Sequence, residues 1–191
     1  MKISRRVRLR ALWLLIIPFF WFAQPTVTTL AAGAALALLG LAIRASAAGF
    51  IHKEQVLTTT GPYARTRNPL YLGSFLLGCG VTLAGGQWIF VAAFVVFFAF
   101  VYQRTIRNEA EHLENLFGDA YRRYAEAVPL FLPRLTAWRG PDGGGGGAAA
   151  RAAGESPAGF SVDRWRRNRE YEALLGAVAG LAGLWLRMVL G

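Results

Sequence analysis

Glu109 and the block Gly61-Pro62-Tyr63-Ala64-Arg65-Thr66-Arg67-Asn68-Pro69-Leu70-Tyr71-Leu72-Gly73 are the parts of this chain whose residue types and spacing invite chemistry. Acidic residues are scarce, and none lies between Glu54 and Glu109. From Pro69 to Tyr102 there is no Asp, Glu, Lys, Arg or His, so both sites flank one apolar stretch. A carboxylate at such an edge is suited to receive an ammonium group or ribose hydroxyls, as a sulfonium cofactor would present them. In the block before the stretch, Gly61-Pro62 marks a turn, Pro69 suits an early helical position, and Asn68 before it is driven toward extended geometry. That leaves backbone amides and the Asn68 side chain available to a ligand. The plainer reading is an interfacial turn with Tyr63 and Tyr71 as aromatic-belt residues. Glu111 and Glu114 suit pairing with Arg104, Arg107 or His112 at helical spacing.

The elements that must position these residues follow from hydropathy. Apolar residues make up 54% of the chain and are bunched into charge-free blocks rather than spread at amphipathic spacing, the pattern of a membrane protein. Ala11 to Ile43 is too long for one span of ~20 residues, and Pro18, Gln24 and Pro25 supply a break. A first hairpin of Leu9 to Ala23 and Thr26 to Ala48 is therefore expected. A cleaved signal peptide is the competing reading of the basic N-terminus, disfavoured because the apolar run continues into a second helix without a small-residue cleavage pattern. Leu70 to Ala84 and Trp88 to Tyr102, turned by Gly85, Gly86 and Gln87, form the second hairpin. Its two ends return Asn68 and Glu109 to one surface. Leu174 to Leu190 is a fifth apolar stretch in which Arg187 can snorkel. The expected fold is an all-α integral membrane bundle of four to five transmembrane helices. Residues 1–139 form the membrane domain, 140–160 a Gly/Ala-rich linker, and 161–191 a basic segment with a C-terminal helix.

The formal net charge is +10, with basic residues clustered at Lys2 to Arg10, His52 to Arg67, Arg104 to Arg139 and Arg164 to Arg169. The positive-inside rule places these clusters, the N-terminus and the site on the cytoplasmic side. Arginines bordering apolar spans meet anionic headgroups, so lipids are expected partners and nucleic acid is not. Cys79 is the single cysteine and reads as a small packing residue. His52 and His112 have no metal-ligand spacing, and no metal is expected.

The second block, Glu109, Leu113, Phe117, Gly118, Tyr121, Tyr124, Val128 and Pro129, follows the first across the hairpin. Both blocks in this order closely resemble the isoprenylcysteine carboxyl methyltransferase family and its phospholipid methyltransferase relatives, over about Leu41 to Leu135. The resemblance implies a membrane methyltransferase using S-adenosylmethionine in a cytosolic pocket, with a lipid-modified or isoprenoid acceptor arriving from the bilayer. It implies cofactor contacts from Gln55, Val56, Leu57, Thr58, Tyr63, Asn68, Pro69, Leu70, Tyr71 and Glu109. It also implies a substrate-orienting arginine, for which Arg104 and Arg107 are the candidates; no catalytic residue is assigned. Two positions depart from the family: Asn68 stands where it has His, and Ala110 where it has a second acid. Asn68 hydrogen-bonds but takes no proton, so an acceptor already ionised as a carboxylate suits the site best. The rivals are a methyltransferase for a phospholipid or other lipid amine and a catalytically silent binding or assembly protein. A nicotinamide-dependent reductase has no glycine fingerprint to support it.

Overall fold

Thr26 opens the first long helix through a reciprocal cap. Its hydroxyl accepts from the Thr29 amide at 3.1 Å while the Thr29 hydroxyl accepts from the Thr26 amide at 2.9 Å. The computed structural model describes residues 16–51, 56–140 and 159–190, and all regular structure among them is helical. Helix α1 covers residues 16–22, α2 Val27–Phe50, α3 Pro69–Ala84, α4 Trp88–Phe117, α5 Asp119–Ala127, α6 Val162–Arg167 and α7 Tyr171–Leu190, with a 3-10 turn at Gly61–Ala64. Most of the expected linker, the N-terminal basic cluster, His52 and Gln55 lie outside the described residues.

Helices α2, α4 and α7 are long and apolar enough to cross a membrane, and α3 is a shorter apolar helix. Large apolar side chains such as Trp21, Leu38, Trp88, Val96 and Phe100 point outward, as a lipid-facing surface requires. The helical arm expected over Trp88 to Tyr102 continues past Tyr102. Helix α4 runs 30 residues without interruption, roughly 45 Å against a ~30 Å hydrocarbon core, so Glu109 rides on a rigid continuation of the span. Gly118 ends it, with φ +53°, a conformation few other residues accept.

Small residues hold α2 against α3. Gly33 faces Gly80 and Gly40 faces Gly73 in an antiparallel register, so close that a Cβ on Gly80 would lie 2.6 Å from Gly33 O. Close backbone approach of this kind is the usual means of helix association in lipid. The turn after α1 docks on the turn after α3, where the Gln24 amide donates to Gly85 O at 2.9 Å. With the turns joined at one end, the opposite ends of both hairpins meet at the other. Helix α7 packs into this bundle, with Leu184 buried against Phe19, Ala23 and Ala84. At the far end of α2, terminal carbonyls receive donors from α6 and its flanks: Asn168 Nδ2 donates to Ala48 O at 2.9 Å, while Arg164 Nε and the Ser161 amide donate to Gly49 O at 2.8 and 3.0 Å.

Candidate functional site

The loop entering α3 is fastened by the segment that follows α5. The Arg67 amide donates to Pro129 O at 2.9 Å, Arg134 N to Arg65 O at 2.9 Å and Trp138 N to Ala64 O at 2.8 Å. Asn68 Nδ2 donates to Leu130 O at 2.9 Å, and the Thr66 hydroxyl, on a residue only 2% exposed, to Phe131 O at 2.8 Å. From α5, the Tyr124 hydroxyl donates to Tyr63 O at 2.7 Å. Tyr121, Tyr124 and Val128 of the second motif thus form a buried cluster whose task is to hold the first motif in shape. Tyr124→Phe removes a donor from a buried carbonyl, and a loss of about 1–2 kcal/mol of stability is expected in thermal unfolding.

Between the loop, α3, α4 and the junction of α6 with α7 lies a cavity of about 720 Å³. Val56, Leu57, Thr58, Tyr63, Asn68, Pro69, Leu70, Tyr71 and Glu109 all line it. Gln55 falls outside the described residues. Tyr71 and Glu109 lie on the cavity wall near enough to interact electrostatically. Tyr71 also meets Tyr102 edge to face at 5.3 Å, and Tyr102 stacks on Phe98 at 4.2 Å, giving the cavity an aromatic wall. The Tyr63 hydroxyl is buried, on a residue 7% exposed, and has no hydrogen-bond partner among the described residues. Burial first, then the neighbouring Tyr124, Glu109 and Glu170, push its pKa up, so it stays a neutral donor at every physiological pH.

Arg104 and Arg107 are not brought to this cavity. Both are exposed on α4, and Arg107 borders a shallower groove beside Glu111 and Glu114. The arginines on the cavity wall are Arg44 and Arg67. Arg67 Nη1 donates to the Tyr121 hydroxyl at 3.3 Å with its guanidinium 6.0 Å from that ring, while its Nε is buried without a partner among the described residues. Arg44 is bound by Glu170 and Ser74. Sequence reasoning passed over Arg44, Ser74, Tyr102, Asn108, Asn168 and Glu170. A signal existed for Arg44: it is the charge that ends a long charge-free run, and ionisable groups in apolar helices are seldom idle. Ala110 also lines the cavity, so the acids on its wall are Glu109 and Glu170. Among the described residues no group of His, Cys, Asp and Glu is arranged to hold a metal ion.

Residues 27–120, the segment carrying α2, the loop, α3 and α4, match the phospholipid methyltransferase family. The chain is also similar to the protein-S-isoprenylcysteine O-methyltransferase of Schizosaccharomyces pombe, 34% identical over 85 residues, which is 44% of this chain and 36% of that one. It is similar to the cobalt-zinc-cadmium resistance protein CzcN of Cupriavidus metallidurans, 34% identical over 88 residues, 46% of this chain and 40% of the relative. The nickel-cobalt-cadmium resistance protein NccN of Alcaligenes xylosoxydans xylosoxydans is 34% identical over 87 residues, with 46% and 40% covered. The matched parts span about two fifths of the length of these curated relatives. No solved structure matches the chain. The matched segment, residues 27–120, supplies most of the cavity, while Tyr121, Tyr124, Asn168 and Glu170 come from beyond it.

Proposed function

We propose that this membrane protein is an S-adenosylmethionine-dependent methyltransferase that methylates a carboxylate on a lipid-modified or isoprenoid acceptor at the cytoplasmic face. The observation that carries this reading is the convergence of Tyr63, Asn68, Tyr71 and Glu109 on one cavity within the family segment. The residues present fit the cofactor. At about 720 Å³ the cavity is of small-molecule size, Glu109 offers a carboxylate to ammonium or ribose groups, and the partnerless Tyr63 hydroxyl offers a buried donor. When bound, the sulfonium supplies an already activated methyl group.

The chain's own contribution is then alignment and exclusion of water. Tyr71 and Tyr102 line the cavity beside Glu109, with Phe98 stacked behind Tyr102, and form an apolar wall against solvent. Asn68 cannot take a proton, and its amide is committed to Leu130 O. An acceptor arriving as a carboxylate needs no base, so it suits this wall better than an amine does. One observation favours a second reading: His112 also lines the cavity, and its imidazole could serve a lipid amine. Profiling prenyl-cysteine acids against phospholipid amines, with His112→Gln alongside, separates the two.

The primary test is calorimetric titration of S-adenosylmethionine into purified, folded protein, followed by transfer of labelled methyl to those acceptors. Saturable binding is expected, and its absence rejects the proposal. Tyr63→Phe is expected to weaken cofactor binding about tenfold while leaving the melting temperature unchanged or raised, because the hydroxyl has no partner to lose among the described residues.

A further inference from the structure

The cavity wall contains a finished carboxylate receptor, and the carboxylate in it belongs to the chain. Arg44 Nε donates to Glu170 Oε2 at 3.0 Å and Nη2 to Oε1 at 2.9 Å, both prongs of the guanidinium on both oxygens. The remaining nitrogen, Nη1, donates to the Ser74 hydroxyl, which donates in turn to Leu70 O at 2.8 Å. This fork with a fixed hydroxyl beside it is the arrangement by which arginine recognises carboxylates generally. Its position is set by the tight α2–α3 contact, since a Cβ on Gly73 would lie 2.6 Å from Arg44 Cγ.

The occupant is of different origin from the receptor. Arg44 and Ser74 lie in the family segment, whereas Glu170 lies beyond it at the junction of α6 with α7. Docking of that junction has other fastenings, namely Asn168 to Ala48 O, Arg164 to Gly49 O and the burial of Leu184. Glu170 is 7% exposed yet lines the same cavity as Glu109 and Tyr63. The residue before it, Arg169, has φ +56°, a left-handed conformation that costs a non-glycine residue free energy.

We propose that Arg44 and Ser74 form the subsite for the acceptor's carboxylate, and that Glu170 occupies it until an acceptor displaces it. This rests on the carboxylate-acceptor reading above. Exchange of one carboxylate for another keeps the part-buried guanidinium paired, avoiding the large penalty of an unpaired buried charge. Self-occupancy lowers the apparent acceptor affinity by the fraction of time the subsite is filled.

The test compares binding of S-farnesylthioacetic acid and of its primary amide to the full chain in lipid nanodiscs. Glu170→Gln is expected to bind the acid about tenfold more tightly than the unaltered protein, with the amide unchanged. Adding Arg44→Gln or Ser74→Ala to that variant is expected to cancel the gain, and Glu172→Gln, an exposed carboxylate nearby, to have no effect. Unchanged or weaker acid binding by folded Glu170→Gln overturns the subsite and leaves Glu170 a structural clasp. Should Glu170→Gln fail to fold, Glu170→Asp keeps the charge on a shorter arm and should still show a gain of a few fold. No gain there, or loss of folding in both variants, also overturns it. S-adenosylmethionine titration in parallel separates the two ideas: cofactor binding without the acid gain sinks the subsite alone, and the acid gain without cofactor binding sinks the methyltransferase reading alone.

Discussion

Gly40→Leu is expected to prevent accumulation of folded protein, read as loss of the monodisperse peak on size exclusion in detergent. A Cβ at that position would lie 2.5 Å from Leu77 N and 2.6 Å from Gly73 O, both backbone atoms that no rotamer change can move aside. Helices α2 and α3 would have to separate, costing about 3 kcal/mol or more. The loss would reach the cavity directly, because α2 brings Arg44 to it and α3 brings Asn68, Tyr71 and Ser74. Gly176 on α7 is the contrast: a Cβ there meets nothing within 4 Å. Gly176→Ala is expected to be neutral or to stabilise by about 0.5–1 kcal/mol through helix propensity.

Glu109→Gln is expected to lower affinity for S-adenosylmethionine by roughly tenfold to a hundredfold, the usual worth of a hydrogen bond to a charged group. The melting temperature should hardly change, because Glu109 is an exposed residue of a continuous helix and keeps a hydrogen-bonding side chain as Gln. Titration calorimetry with a thermal scan on the same sample gives both numbers. This variant also distinguishes an enzyme from a silent membrane module on the same scaffold. Undiminished cofactor affinity would show that the carboxylate facing Tyr71 is no part of a binding site.

How much could be read without coordinates differs between elements for physical reasons. Spans were legible because lipid solvates no charge and no unpaired backbone group, so each crossing must be a long charge-free helix. The turn at Gly85-Gly86-Gln87 was legible because glycine marks backbone that other residues avoid. The continuity of α4 past Tyr102 was not, since the change from apolar to polar residues alters the solvent of a helix without breaking it. Nor was the role of Tyr124 and of the segment around Leu130. They act through hydrogen bonds to the carbonyls of Tyr63 and from the side chain of Asn68, and such partners have no local signature.

The candidate site divides the same way. The sequence by itself determined an all-helical membrane chain with two polar motifs at one end of an apolar hairpin, because hydropathy and turn chemistry act over neighbouring residues. It also set the residue types at the cavity, including Asn68 and Ala110 where the resemblance implies other groups. Only the tertiary structure decided which charges meet there. Arg44 and Glu170, far apart along the chain, are joined by the glycine-dependent approach of α2 to α3 and by the docking of α6 and α7. Arg104 and Arg107, close to Glu109 along the chain, are turned outward by the rotation of the helix that carries them. Distance along the sequence sets neither the face of a helix nor its neighbours; packing does.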